Sequence, residues 1–316
     1  MNLRIFGLIV CLIIVLAGCS QGRGQITVNN VRRGIDGLQM EFLDEFPPKE
    51  LFEASDIVLG VSLENGGATA IENGILTVSL EQDYMRLVRW NTDRDIRNSR
   101  TNTALFSLDG KTIGNDVGGK IIATADVKTL VLERQTETHT SNIVLTACYA
   151  YQSILQDSVC IDTNVFGTDA REKNCEVKDL RLSGQGGPVG ITKVEVRMLP
   201  HSDRGKIIPQ FTLTLANGGK GEIIDVGQLD AACSSSALDS KAFNKVTVDA
   251  VLGDQRLNCN LRDDEFFLLP KRKSFTCRLS EGISKERGSY TAPLVVTLDY
   301  GYTQSIGKKV EVRRIT

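Results

Sequence analysis

The sequence is poor in the residues that perform chemistry and in those that stack on ligands. Only two histidines, His139 and His201, occur in 316 residues, and neither sits near a serine or cysteine pattern that would pair a nucleophile with its base. With so few imidazoles and no Cys-x-x-Cys pair, a zinc site has little to build on. Aromatic residues make up 6% of the chain and Trp90 is the single tryptophan, which argues against a long stacking platform for sugars or bases. Acidic and basic residues are interspersed, the formal net charge is −2, and no Lys/Arg block appears, so the electrostatic footprint of a nucleic-acid binder is missing. No stretch of ten or more residues has a convincing amphipathic helical period. No catalytic residue, metal or cofactor is expected from this composition.

What is present is an alternation of period two. Ile57, Leu59, Val61 and Leu63 alternate with neighbours of lesser burial tendency. The same holds for Val194, Val196 and Met198, for Phe211, Leu213 and Leu215, and for Val246, Val248 and Ala250. This is the pattern of half-buried strands. Asn65-Gly66 and Asn217-Gly218 each follow such a run, a dipeptide that accepts positive φ in a tight turn. Short strands at regular spacing with turns of this kind predict two-sheet sandwiches of immunoglobulin-like type.

The chain also repeats itself. Val144–Tyr151, continuing to Val159-Cys160-Ile161, lands on Val295–Tyr302 and Val310-Glu311-Val312 when moved forward 151 positions. Ser62–Gly67 matches Thr214–Gly219 at an offset of 152, and Gly34–Leu38 echoes Gly190–Val194 at 156. This predicts two sandwich domains, 34–165 and 190–316, joined by a linker over 166–189 in which Ser183-Gly184-Gln185-Gly186-Gly187-Pro188 supplies the punctuation. In the closing segment Val296, Leu298, Tyr300 and Tyr302 should face the core, and Val295, Thr297 and Asp299 the other side.

At the start, Met1-Asn2-Leu3-Arg4 leads into an apolar run from Ile5 to Val15 and then Leu16-Ala17-Gly18-Cys19. A single cation, a short apolar segment and a small-residue pair before cysteine resemble a lipoprotein export signal over 1–18, with Cys19 as the lipidated residue of the mature protein. As a helix, Ile5–Cys19 would reach only about 22 Å, short for a hydrocarbon core of about 30 Å; an uncleaved anchor is the rival reading. Residues 19–33 then read as a tether, which places the folded part outside the cytosol, on the cell surface or the periplasmic face. The remaining six cysteines, Cys148, Cys160, Cys175, Cys233, Cys259 and Cys277, read as disulfides in that oxidising setting, and spacing alone permits fifteen pairings. A hairpin turning at Ser305, copied in the first repeat, would face Cys148 with Cys160. Cys259 and Cys277 fall in successive strands, which leaves Cys175 with Cys233.

The Asn-Gly-Gly turn, Cys148-Tyr149-Ala150-Tyr151, Val159-Cys160-Ile161-Asp162-Thr163 and Tyr300-Gly301-Tyr302 together resemble a family of uncharacterised archaeal membrane-anchored proteins with tandem immunoglobulin-like domains. Leu108-Asp109-Gly110-Lys111-Thr112, Gly118-Gly119 and Leu182–Val189 carry the same likeness. The resemblance implies a fold and an address, and no catalytic or binding residue.

Four local patterns invite a chemical reading. Gly110-Lys111-Thr112 ends like a phosphate loop, but Leu105 stands where that loop needs glycine, so a surface turn is expected. Ser305-Ile306-Gly307-Lys308 has the Ser-x-x-Lys spacing of some acyl-transfer enzymes, yet the expected hairpin tip is the wrong support for it. Asp162, Asn164 and Asp169, with Gly167 between, gather oxygens as a calcium loop does, although Phe166 and the missing glutamate depart from that pattern. Trp90 and the polar stretch after it could form a recognition loop at a sandwich end; packing is the plainer account. Three functions follow. The chain is first a non-enzymatic, membrane-anchored module of the cell envelope acting through a protein partner. It could instead bind carbohydrate or calcium through first-domain loops, or be a hydrolase in which His139 or His201 meets a serine and a carboxylate only after folding.

Overall fold

The computed structural model describes residues 31–92, 94–100, 102–164, 173–234, 236–269 and 271–315. The expected signal 1–18, Cys19, most of the tether, Asp169 and part of the linker lie outside them. The class is all-β, as the alternation predicts. The first half contributes β1 (Leu38–Phe42), β2 (Glu50–Phe52), β3 (Asp56–Asn65), β4 (Ile71–Ser79), β5 (Met85–Asn91), β6 (Ile96–Arg100), β7 (Thr103–Leu108), β8 (Lys120–Thr129) and β9 (Thr138–Asp162). The second contributes β10 (Leu180–Arg181), β11 (Val189–Pro200), β12 (Lys206–Asn217), β13 (Glu222–Ile224), β14 (Lys245–Leu252), β15 (Gln255–Arg256), β16 (Asn258–Cys259), β17 (Glu265–Phe267), β18 (Arg272–Arg278), β19 (Ile283–Ser284) and β20 (Ser289–Arg313). A short helix, α1 (Leu229–Cys233), sits between β13 and β14.

These strands form three sheets. Each half has a small one, ordered β1-β3-β8-β5 in the first and β10-β11-β12-β18-β16 in the second. Both halves then share a ten-stranded sheet whose spine runs β15-β14-β20-β9-β4-β7-β6. The two small sheets pack on one face of the shared one, and a single apolar cluster runs through both halves, from Leu59 and Trp90 to Phe211 and Leu298.

The centre of the shared sheet is the antiparallel pair β9 and β20, each of 25 residues, matched without a bulge from Thr138↔Arg313 to Asp162↔Ser289. At about 3.4 Å per residue this pair is roughly 80 Å long. The predicted hairpins are therefore absent. Between Tyr151 and Val159 the inward places go to Ser153 and Leu155, both buried, and to the half-buried Asp157, and no glycine, proline or Asn-Gly pair offers a turn. Ser305 is a mid-strand residue opposite Thr146. Inward and outward faces fall as expected, with Val296, Leu298, Tyr300 and Tyr302 at most 1% exposed.

The internal repeat becomes a pseudo-twofold arrangement. Ala150 pairs with Gly301, its own counterpart at offset 151, and Tyr149 and Tyr151 face Tyr302 and Tyr300. The same offset relates Leu38 to Val189, whose amides donate to the equivalent hydroxyls of Tyr149 and Tyr300. This corrects the match of Gly34–Leu38 to Gly190–Val194. The segment read as linker also differs from expectation, since Gly184 to Val189 is buried. Gly186 accepts a hydrogen bond from the Ala68 amide, and Gln185 holds both the amide and the carbonyl of Ile191.

Candidate functional site

The middle of the β9–β20 seam gathers the most specialised side chains of the molecule. Tyr149, Tyr151, Tyr300 and Tyr302 point from the shared sheet into the core with exposures of 1, 3, 0 and 1%. Ring centroids lie 5.9 Å apart for Tyr149 and Tyr302 and 6.1 Å for Tyr151 and Tyr300. Burial pushes all four phenols up from their ordinary range, so they remain protonated and act as hydrogen-bonding groups.

Their hydroxyls hold the turns in duplicate. Tyr151 donates toward Asn65 Oδ1 at 3.3 Å and accepts from the Thr69 amide; Tyr302 donates to Asn217 Oδ1 at 3.1 Å and accepts from the Gly221 amide. Asn65 and Asn217 in turn accept from the amides of Gly67 and Gly219, each at 3.1 Å. The dipeptides do close β3 and β12, but neither Gly66 nor Gly218 has a left-handed φ. The asparagine is there for its side chain. The third residue is glycine because a β-carbon on Gly67 would overlap the Tyr151 hydroxyl, and one on Gly219 the Tyr302 hydroxyl. Ser153 and Gln304, again equivalent, hold the carbonyls of Val189 and Leu38. The cluster is a structural clasp with no free reactive group.

Two openings flank it. One, of about 450 Å³, is lined by Ile35, Met40, Tyr149, Tyr302, Gln304 and Ile306 among others. The second, of about 250 Å³, lies on the other side of the seam against Ile154 and Leu155, and Arg32, Arg33 and Arg181 line it.

The residues singled out from the sequence are scattered. Trp90 is 2% exposed in the core of the first half, so it offers no face to a ligand; its place on β5 opposite Ala125 points it inward. Asp162 is 8% exposed, pairs with Lys173 at 2.8 Å and accepts from the Asn164 amide at 2.9 Å. A lysine thus holds the carboxylate a calcium ion would need, and among the described residues no group of acids, histidines or cysteines is arranged to hold a metal. Gly110-Lys111-Thr112 is a loop after β7, its Lys111 amide bonded to Gly67. Ser305 and Lys308 lie on opposite faces of β20, as residues three apart in a strand must; Ser305 bonds Thr146 at 2.7 Å while the Lys308 ammonium sits over the Phe42 ring.

His139 and Glu81 do meet, at 2.8 Å, with Tyr84 stacked on the imidazole at 3.5 Å. The hydrogen bond from His139 holds the Glu81 carboxyl below its ordinary range. Ser141 follows on the same face of β9 but is wholly buried, and its hydroxyl makes no hydrogen bond of normal geometry. No substrate could reach it. His201 is elsewhere, its Nδ1 accepting from the Asp203 amide.

The disulfides are Cys148–Cys233, Cys160–Cys175 and Cys259–Cys277. The expected bridge between Cys148 and Cys160 is impossible because both lie on β9, roughly 40 Å apart along one strand, and the pairing of Cys175 with Cys233 falls with it. Cys148 faces outward from the shared sheet, where α1 brings Cys233 over Ile75, Leu105 and Leu229. That bridge joins the second half's excursion to the first half's strands. Cys259 and Cys277 oppose each other on β16 and β18. Sequence reasoning missed the excursion 225–244, whose only signal is its interruption of the alternation between β13 and β14.

No protein-family model matches the chain, and no curated protein matches it by sequence. Among solved structures, a chain of a type I cohesin–dockerin complex from Clostridium thermocellum matches with 10% identity and a TM-score of 0.26, covering 37% of this chain and 83% of that one. An Actinomyces fimbrial adhesin matches with 10% identity and a TM-score of 0.21, over 61% of this chain and 93% of its own. A protein of a family without assigned function from Parabacteroides merdae matches with 7% identity and a TM-score of 0.20, over 84% and 99%. At these TM-scores the likenesses carry no assignment.

Proposed function

We propose that the chain is a membrane-tethered extracytoplasmic module that acts by contact, as a structural or interaction component of the cell envelope, and that it is related to the archaeal membrane-anchored proteins its motifs resemble. The observation that supports this reading best is the set of three disulfides, one of which ties the two halves together. Such bonds form and persist in oxidising compartments. Among the described residues no helix is long and apolar enough to cross a membrane; in this reading the attachment is the lipid on Cys19, after a signal over 1–18. The chemistry in the seam supports contact rather than turnover, because its hydroxyls and amides hold backbone.

The test is fractionation of expressing cells with mass analysis of the mature amino terminus. A lipidated Cys19 in the membrane fraction, lost in Cys19→Ser, is the expected result. A cytosolic product with six free thiols overturns the proposal.

A further inference from the structure

We propose that the cleft lined by Arg32, Arg33 and Arg181 is a binding site for a phosphate group. The cleft is small, about 250 Å³, and its remaining lining includes Gln156, Asp157 and Ser183. Three arginines line it against one acid, Asp157, in a protein whose overall formal charge is −2. Of the other arginines, Arg89 pairs with Asp126, Arg197 with Asp179, Arg256 with Asp249 and Asp264, and Arg313 with Glu50 and Glu311, while Arg86, Arg134, Arg204, Arg272 and Arg278 are scattered singly without an acid among the described residues. Arg32, Arg33 and Arg181 have no ion-pair partner among the described residues. Guanidinium presents planar forked donors that match the oxygens of phosphate, and three of them from two chain segments can surround a compact anion where a lone surface arginine cannot.

The internal repeat supplies an independent reason. Whatever the fold itself requires recurs in both halves, as the tyrosines, asparagines and glycines of the clasp do. The cleft lies against Ile154 and Leu155 of β9, and the equivalent places on β20, Ser305 and Ile306, border the opening on the other side of the seam. That opening is lined by Ile35, Met40 and Gln304 with Lys220 as its cation. The arginine cluster therefore breaks the symmetry of the scaffold, and the scaffold does not need it.

The phosphate can come from a soluble phosphoester or from a lipid headgroup. Twelve residues separate Cys19 from Arg32, a span of at most about 45 Å, so headgroups are within reach of an anchored chain. The site itself does not rest on the anchoring.

The experiment uses the full chain in detergent with inorganic phosphate as the probe in titration calorimetry, followed by co-sedimentation with phosphatidylglycerol and phosphatidylcholine vesicles. Saturable phosphate binding that weakens at least tenfold in Arg33→Gln/Arg181→Gln and is unchanged in Arg256→Gln is the expected result. Vesicle preference for phosphatidylglycerol, lost in the same double variant, identifies the headgroup as the source; phosphate binding without that preference identifies a soluble ligand. No phosphate binding by the parent chain, or equal binding by the double variant, overturns the site. Neither outcome depends on whether Cys19 is lipidated, so the two proposals fail separately.

Discussion

At the scale of single residues, the clasp explains why small and polar groups appear where a strand protein would otherwise place larger ones. Gly67→Ala sets a methyl group against the Tyr151 hydroxyl, with the carbonyls of Asp36 and Gly186 also close. Overpacking of this kind costs about 1–3 kcal/mol, and thermal unfolding should show a lowered Tm. Gly114→Ala is the control, since its β-carbon would meet only Thr112 Oγ1 at 4.0 Å, and it should leave Tm within about 0.5 kcal/mol equivalent. An unchanged Tm in Gly67→Ala would sink the account of the clasp. Asn65-Gly66-Gly67 and Asn217-Gly218-Gly219 are plain in the sequence as strand ends. Their reason is not plain, because it rests on tyrosines that lie more than eighty residues further along the chain.

Secondary elements were legible by period and illegible by partner. β3, β11, β12 and β14 fall where the alternation places them, and the inward and outward faces of β20 are correct. The same period over 138–162 is compatible with a hairpin or with one long strand, and alternation cannot choose between them. The choice is made by β20, which supplies a partner along the whole length. From that choice the disulfides follow. Cys148–Cys233 closes a separation of 85 residues and Cys259–Cys277 one of 18. Chain-entropy reasoning gives the longer loop about 1 kcal/mol more stabilisation. Cys148→Ala/Cys233→Ala should therefore lower the urea midpoint further than Cys259→Ala/Cys277→Ala does. The reverse order would show that the bridge over α1 does little to restrain the unfolded chain.

For the molecule as a whole, the repeat is real, yet its units are not packed as separate bodies. Both halves contribute to one sheet and one core, and the segment 184–189 runs buried between them. A fragment ending at residue 165 would leave β9 without its neighbour β20 and expose an edge roughly 80 Å long. Such a fragment should lack cooperative unfolding and near-ultraviolet circular dichroism, and both should return when the two halves are produced together. A half-chain that unfolds cooperatively on its own would contradict this.

The place where the chain joins the body has a mechanical consequence. Gly34 bridges to Gln185, and Gly186 lies under the Tyr151 hydroxyl, next to the midpoint of β9. The described chain therefore begins against the long girder near its midpoint and not at a tip, with β9 running twelve residues to either side of Ala150. On the tethering proposed above, tension drawn through the amino-terminal segment would enter at this fulcrum, and the two arms of the beam would be free to present their ends alike.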